Sequence, residues 1–212
     1  MAIKFKYFLF DWDGCLANTL PIWFGGMKAG LDYFKLAASD HIIKKGFQDW
    51  EVFPRLGVSD MVVFTDIVYG YVNKNLFNVN FNEGVIETLT QLRERDVKYA
   101  IVTTTEKQNI FAVLERLNLM HLFECIIDRN DVEKVKPNPE PIEKALNFLN
   151  AEKHLSAIVG DSQADIEGGK NAGISTIWLS SIENREYHIH IDPLQMTPDI
   201  TISSFYEINN YF

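Results

Sequence analysis

The stretch FLFDWDGC, residues 8–15, is the most informative part of the sequence, because an apolar run ends abruptly in two carboxylates and a glycine. Asp11 and Asp13 follow what we predict to be a buried strand, and open α/β sheets bind ligands at the carboxyl ends of their strands. Gly14 permits the chain to turn sharply away from the sheet. Asp and Gly also form ordinary turns after strands, so this stretch alone fits either a turn or a site.

Short apolar runs recur along the chain and alternate with segments of helical period, which is typical of βα units around a buried parallel sheet. The predicted strands are Tyr7–Phe10, Tyr99–Val102, Cys125–Ile127, Ala157–Val159, Thr176–Leu179 and Ile200–Ile202. Apolar residues at helical spacing predict helices from Val85 to Leu92 and, after the start signals Pro139 and Pro141, from Ile142 to Leu149. The pattern therefore predicts an α/β fold.

Residues 18–81 separate the first predicted strand from the second, and they are far more numerous than in the usual loops of α/β units. Within them, Trp23–Leu36 and Asp60–Asn75 carry apolar residues at mixed helical spacing. We predict that this insertion folds as a small helical bundle over the end of the sheet. The predicted division is a core of residues 1–17 and 82–212 and an inserted domain of residues 18–81.

Composition limits the classes of function. The chain has 212 residues, of which 47% are hydrophobic, enough for one α/β domain with a smaller attachment. It has no run of roughly 18 or more uncharged apolar residues, which argues against a membrane-spanning helix. Cys15 and Cys125 are too few for a disulfide framework, so we expect a cytoplasmic protein. The net charge of −9 argues against binding nucleic acid or anionic membrane, whereas a small anionic substrate needs only local positive charge.

Three later motifs place further polar residues after predicted strands. AIVTTT contains Thr103, KVKPNPEP contains Lys136, and AIVGDSQAD contains Asp161 and Asp165. Taken singly, Thr103 could be a strand terminator, Lys136 a loop lysine and Asp161 a helix N-cap. Together with FLFDWDGC they indicate one site at the edge of the sheet.

With these four motifs in this order, the chain resembles the haloacid dehalogenase superfamily, in its Mg²⁺-dependent phosphatase branch with a helical cap after the first strand. The resemblance extends to NEGVIETLTQLRERDVKYAIVT, to GDSQADIEGGKNAG and to the closing PDITISSFYEI. It implies a Rossmann-like parallel-sheet core, with residues 18–81 as the cap.

The resemblance also implies the roles of the site residues. It implies Asp11 as nucleophile, Asp13 as general acid/base, Thr103 and Thr104 as phosphate-binding residues, Lys136 as charge-stabilising lysine, Asp161 as metal ligand and Asp165 as support for the metal site. Mg²⁺ is the implied cofactor, held by Asp11, the main-chain carbonyl of Asp13 and Asp161. The physical chemistry agrees, because clustered carboxylates repel one another and an incoming phosphate unless a hard cation lies among them. Arg55, in PRLGVSD, resembles a cap residue that contacts the substrate.

The expected function is hydrolysis of a small soluble phosphomonoester through an aspartyl-phosphate. A sugar phosphomutase, which uses the same intermediate, is the alternative within the family, and the motifs do not separate the two. The more distant alternative is a non-enzymatic phospho-accepting receiver, but Asp13 and the long insertion favour catalysis. The dehalogenase branch lacks a carboxylate at the position of Asp13.

Several residues depart from the family pattern or add nothing to it. Cys15 stands where the family usually has Thr, and Trp12 is a less usual residue between the two aspartates, but neither change removes a reacting group. His188 and His190 alternate as on an extended segment. Without a carboxylate or cysteine at ligand spacing, they are not predicted to bind metal.

Overall fold

A parallel six-stranded sheet forms the centre of the protein in the computed structural model, which describes residues 4–189 and 197–212. The strands are β1 (Tyr7–Phe10), β2 (Lys98–Val102), β3 (Ile126–Ile127), β4 (Ser156–Gly160), β5 (Ser175–Leu179) and β6 (Ile200–Ile202). Their order across the sheet is β3-β2-β1-β4-β5-β6. All six predicted strands are confirmed, with ends that differ by at most one residue.

The central position of β1 determines where the site lies. Phe10, its last residue, is in register with Ile101 of β2 and with Val159 of β4. The chain segments that follow these three strands therefore emerge side by side at one edge of the sheet. Phe8, Leu9 and Phe10 are fully buried, as expected for a parallel strand that is covered on both faces.

Helices cover both faces of the sheet and also form most of the inserted segment. They are α1 (Leu20–Tyr33), α2 (Asp40–Ile43), α3 (Val52–Arg55), α4 (Met61–Leu76), α5 (Val85–Glu94), α6 (Lys107–Arg116), α7 (Glu140–Leu149), α8 (Gln163–Ala172) and α9 (Ile182–Tyr187). The apolar sides of α5 and α6 belong to the same core as Phe8 and Phe10. Those of α7 and α8 pack on the face of Leu9. The predicted helices in α5 and α7 are confirmed.

The first four helices lie between β1 and α5 in the chain. Within this group α1 packs along α4, where Gly30 comes so close to Phe64 that a Cβ atom would lie 2.5 Å from the ring. The chain leaves the sheet and returns at adjacent positions, since the Asn18 N–H donates to the Asn80 carbonyl at 3.0 Å. The helices α1–α4 thus form a bundle connected to the sheet by two neighbouring chain segments.

The composition also bears on membrane-spanning helices and on disulfides. No helix in the described ranges is long and apolar enough to cross a membrane. Cys15 and Cys125 are both buried and free.

Candidate active site

Lys136 lies at the centre of a buried charge network below the carboxyl edge of the sheet. Its Nζ atom donates to Asp11 Oδ1 at 2.6 Å, to Asp165 Oδ1 at 2.6 Å and to the Val102 carbonyl at 2.7 Å. These three bonds use all three N–H groups of the ammonium. Burial alone would lower the pKa of Lys136, but the carboxylates of Asp11 and Asp165 outweigh it and raise that pKa. Lys136 is therefore a permanent cation beside Asp11.

Asp165 supports this network from the first turn of α8. Its Oδ1 accepts from Lys136, while its Oδ2 accepts from the Ser162 main-chain N–H at 3.1 Å and from the Ser162 hydroxyl at 2.6 Å. Ser162 and Asp165 form a capping box, which fixes the start of α8. Because both carboxylate oxygens are engaged, Asp165 is better suited to orient Lys136 than to bind a metal directly.

Asp11 and Asp161 provide the oxygen atoms for a cation site. Among the described residues, one oxygen each from Asp11, Asp161 and Asp165 lie within 4.8 Å of one another. Burial, reinforced by Asp165 and opposed by Lys136, raises the pKa of Asp11 well above its ordinary value. Burial also raises the pKa of Asp161. One lysine does not neutralise three buried carboxylates, so the site is suited to an additional hard cation.

Asp13 lies above Asp11, on a short turn that follows β1. The Gly14 N–H donates to the Ala17 carbonyl at 2.9 Å, which closes this turn. Trp23 Nε1 donates to Asp13 Oδ1 at 2.8 Å, and the Thr105 hydroxyl is 2.6 Å from Asp13 Oδ2. Each oxygen of Asp13 thus has its own partner, one from the helical bundle and one from the segment after β2.

Two side-chain amides stabilise the turn at Gly14. The side chains of Asn82 and Asn184 both donate to the Gly14 carbonyl at 2.9 Å. Gly14 itself has a φ of +71°, and a Cβ atom there would lie 2.0 Å from Asp161 Oδ2. Glycine at this position therefore lets the turn pass directly over a carboxylate of the site.

His188 is an unexpected member of the site. Its Nε2 lies 2.7 Å from Asp161 Oδ2, and its side chain is only 6% exposed. The imidazole therefore orients the carboxylate that we predict to bind metal. The alternation of His188 with His190 gave no signal of this contact, which depends on the position of α9 in the fold. His190 lies outside the described residues.

The predicted phosphate-binding threonines occupy different positions. Thr104 lines the cavity above the acids, whereas Thr103 is buried and its hydroxyl accepts from the Thr105 N–H at 3.0 Å. Arg55 is not brought to this cavity. Its side chain is 71% exposed and pairs with Asp49 at 3.3 Å. The structure therefore gives no contact that supports a substrate role for Arg55.

A cavity of about 230 Å³ opens above these groups. Its floor carries Asp11, Asp13, Lys136 and Asp161, and its walls include aromatic side chains from the helical bundle. Five of the sequence-predicted residues, these four and Thr104, thus meet in one small cavity. Its size suits a compact ligand.

Comparison with known proteins identifies the family. The family model for haloacid dehalogenase-like hydrolases matches residues 8–179, which is most of the chain. The chain belongs to the haloacid dehalogenase-like hydrolases. This membership agrees with the resemblance seen in the four motifs, and it makes the protein an enzyme rather than a phospho-accepting receiver.

Two pyrophosphatases are similar to this chain over most of their length. The chain is 36% identical over 202 residues to pyrophosphatase PpaX of Halalkalibacterium halodurans, covering 91% of this chain and 93% of that protein. It is 32% identical over 198 residues to pyrophosphatase PpaX of Bacillus mycoides, covering 87% and 88%.

Solved structures show the same fold. A predicted phosphoglycolate phosphatase from Haemophilus somnus has a TM-score of 0.80 at 24% identity, covering 97% of this chain and 96% of that chain. CbbY from Rhodobacter sphaeroides, in complex with xylulose-1,5-bisphosphate, has a TM-score of 0.73 at 16% identity and covers 96% of each chain. At these identities the likeness concerns the fold, which is the α/β, Rossmann-like architecture of haloacid dehalogenase-like hydrolases.

Proposed function

We propose that this hydrolase cleaves small phosphomonoesters through a phosphorylated Asp11, with Mg²⁺ as cofactor. The observation that carries the proposal is the meeting of Asp11, Asp13 and Lys136 on the floor of one cavity. A carboxylate can attack phosphorus to form an aspartyl-phosphate, which divides one difficult displacement into two easier ones. The hydrolase family and the pyrophosphatase relatives support phosphoryl chemistry at this site.

The donor set fits Mg²⁺, a hard cation that prefers oxygen ligands. Asp11, Asp161 and the main-chain carbonyl of Asp13 would hold the ion, and Asp165 would support them through Lys136. When bound, Mg²⁺ supplies positive charge that draws a phosphate to these carboxylates and stabilises charge on the phosphoryl oxygens. The excess of buried carboxylates over the single lysine supports this assignment.

Asp11 and Asp13 would divide the chemistry between them. In the first step an Asp11 oxygen bonds to phosphorus, the bond from phosphorus to the leaving oxygen breaks, and Asp13 donates a proton to that oxygen. In the second step Asp13 takes a proton from water, whose oxygen bonds to phosphorus. The bond between phosphorus and Asp11 then breaks, which releases phosphate and restores the carboxylate.

Lys136 and the threonines would hold the phosphoryl group in line. The ammonium of Lys136 lies 2.6 Å from the attacking carboxylate, so it can stabilise charge that develops on the transferring oxygens. Thr104 lines the cavity, and Thr103 shapes the turn beneath it. These residues would position the phosphate without taking part in proton transfer.

Residues 18–81 would act as the cap over this site. Leu20, Trp23, Phe47 and Tyr69 of this segment line the cavity, and Trp23 contacts Asp13 directly. A cap excludes water from the first step, so the phosphoryl group goes to Asp11. It also limits the substrate to a compact molecule.

The test is phosphate release from acetyl phosphate or 4-nitrophenyl phosphate with Mg²⁺. We expect sustained turnover by the natural protein, loss of at least about 10³-fold in Asp11→Asn, and natural turnover in Asp66→Asn. The control makes the same chemical change at an exposed position of α4. Undiminished release by Asp11→Asn would refute the proposal. Return of the phosphoryl group to a sugar phosphate, with little free phosphate, would favour the phosphomutase alternative.

A further inference from the structure

The walls of the cavity differ in character from its floor. Trp23 from α1 and Tyr69 from α4 meet edge to face, with ring centroids 5.2 Å apart and an interplanar angle of 88°. Phe47 and Trp50, from the segment between α2 and α3, complete the aromatic wall. The charged floor therefore faces four aromatic rings at the place where the rest of a phosphate ester would lie.

These rings are held in place by further contacts. Trp50 packs edge-on against Phe53 and Phe64, with centroids 5.7 and 5.9 Å away, inside the helical bundle. Phe47 packs against the ring of His188 at 5.6 Å. The aromatic wall is thus a built surface, anchored both to the bundle and to the sheet domain.

Among the described residues that line the cavity, no cation is free to bind a second anionic group. The chain has 20 lysine and arginine residues, and all of them lie in the described ranges, since residues 1–3 and 190–196 contain neither type. Among them only Lys136 lines this cavity, and its three N–H groups are already bonded. His188, the remaining basic side chain of the lining, is engaged with Asp161.

Two cations beside the lining residues have partners of their own. Lys44 pairs with Glu186 at 3.5 Å and lies over the ring of Tyr187. Arg129 donates to the Tyr69 hydroxyl at 3.0 Å, behind the aromatic wall. A carboxylate or second phosphate on the substrate would therefore meet aromatic rings and acids, where an unpaired charge is costly to bury.

Given the proposed phosphatase function, we propose that the natural substrate is the phosphate ester of an uncharged, planar apolar alcohol, such as an aryl or aromatic alcohol. Its ring lies against Trp23, Phe47, Trp50 and Tyr69, while the phosphate occupies the charged floor. This differs from pyrophosphate, the substrate in the name of the PpaX relatives, because pyrophosphate carries its second charge where this cavity has rings.

A matched pair of substrates tests the charge preference. Phenyl phosphate and 4-carboxyphenyl phosphate have the same ring, and the added carboxylate does not make the phenol a poorer leaving group. We expect kcat/KM at least about tenfold higher for phenyl phosphate. Equal or better use of 4-carboxyphenyl phosphate, pyrophosphate or phosphoglycolate would overturn the inference. Absence of phosphate release from every ester and from acetyl phosphate would instead refute the proposed function.

Variants of the wall test the role of the rings, with acetyl phosphate as a substrate that carries no ring. Phe47→Leu and Trp50→Leu should each lower the ratio of kcat/KM for phenyl phosphate to kcat/KM for acetyl phosphate by about tenfold. The control Phe148→Leu alters a ring that is 60% exposed and lies outside the cavity, so it should change neither substrate. Equal losses on both substrates in both wall variants would overturn the inference.

Binding gives a readout that does not depend on turnover. Benzylphosphonate and phosphonoacetate are not hydrolysed at the phosphorus, and calorimetry with Mg²⁺ present measures their affinities. Benzylphosphonate should bind at least about tenfold more tightly to the natural protein, and Trp50→Leu should remove most of this difference. Tighter binding of phosphonoacetate would contradict the proposed substrate class.

Discussion

At the scale of single residues, Gly14 is the position at which the smallest change should disable the site. Gly14→Ala places a Cβ atom 2.0 Å from Asp161 Oδ2, so either that carboxylate or the turn bearing Asp13 must move. We expect kcat to fall by about 100-fold, because misplacement by roughly 1 Å has an effect of that order. Steady-state kinetics with 4-nitrophenyl phosphate measures it.

Gly173→Ala is the matched control for this change. Gly173 has a φ of +73°, close to that of Gly14, but no atom lies within 4 Å of its Cβ position. Backbone strain should cost each variant about 1–2 kcal/mol of unfolding free energy in urea, and the clash with Asp161 should add to the loss in Gly14→Ala. Gly173→Ala should keep the natural kcat, and a natural kcat in Gly14→Ala would show that Asp161 tolerates displacement.

The residues of the site differ in how far the sequence predicts them. Asp11, Asp13 and Asp161 follow strands directly, so parallel pairing alone brings them to one edge. Trp23 and His188 come from segments whose position depends on how the bundle and α9 pack, and no spacing in the sequence encodes that. The sequence therefore does not predict their contacts with Asp13 and Asp161.

Among the elements, helix α1 contacts the sheet domain through Trp23, which donates a hydrogen bond to Asp13, the proposed general acid/base. Trp23→Phe keeps a ring against Tyr69 but removes the donor to Asp13 Oδ1. Asp13 is then held by Thr105 alone. We expect kcat to fall by about tenfold, a fraction of the usual effect of a general acid, while KM for acetyl phosphate changes little.

A double-variant cycle separates this role from a general loss of packing. If Trp23 acts through Asp13, then Trp23→Phe should have no further effect on kcat in an Asp13→Asn background. An additional tenfold loss there would assign Trp23 to packing or substrate contact instead.

The elements of the core are predicted more fully than those of the insertion. Each strand is a short apolar run with turn residues after it, and α5 and α7 carry clear apolar stripes, so local pattern is enough. Residues 18–81 show only mixed spacing because α1 and α4 bury residues against one another and against short segments such as α3. Arg55, on α3, is the clearest example. The motif predicts that it contacts the substrate, but in the structure it pairs with Asp49.

At the scale of the whole molecule, the buried acids connect ligand binding to stability. The chain has a net charge of −9, and three of its carboxylates are buried around one lysine. Mg²⁺ should relieve their repulsion and raise the Tm by roughly 5–10 °C at 100 times its Kd. Thermal unfolding measures the shift, with NaCl at equal ionic strength as the control. The shift should be largely absent in Asp161→Asn, and an undiminished shift in that variant would place the ion elsewhere.

Trapping the phosphoryl group on Asp11 is the decisive test of the proposed reaction path. Asp13→Asn should accumulate the intermediate, because it retains the nucleophile but lacks the base that activates water. The measurement is acid-stable radioactive phosphate bound to protein after mixing with labelled 4-nitrophenyl phosphate, whose leaving group needs no proton. We predict label in Asp13→Asn and none in the double variant Asp11→Asn/Asp13→Asn. Equal label in the two proteins, or phosphate release by Asp13→Asn without label at any time, would show that the phosphoryl group does not pass through Asp11.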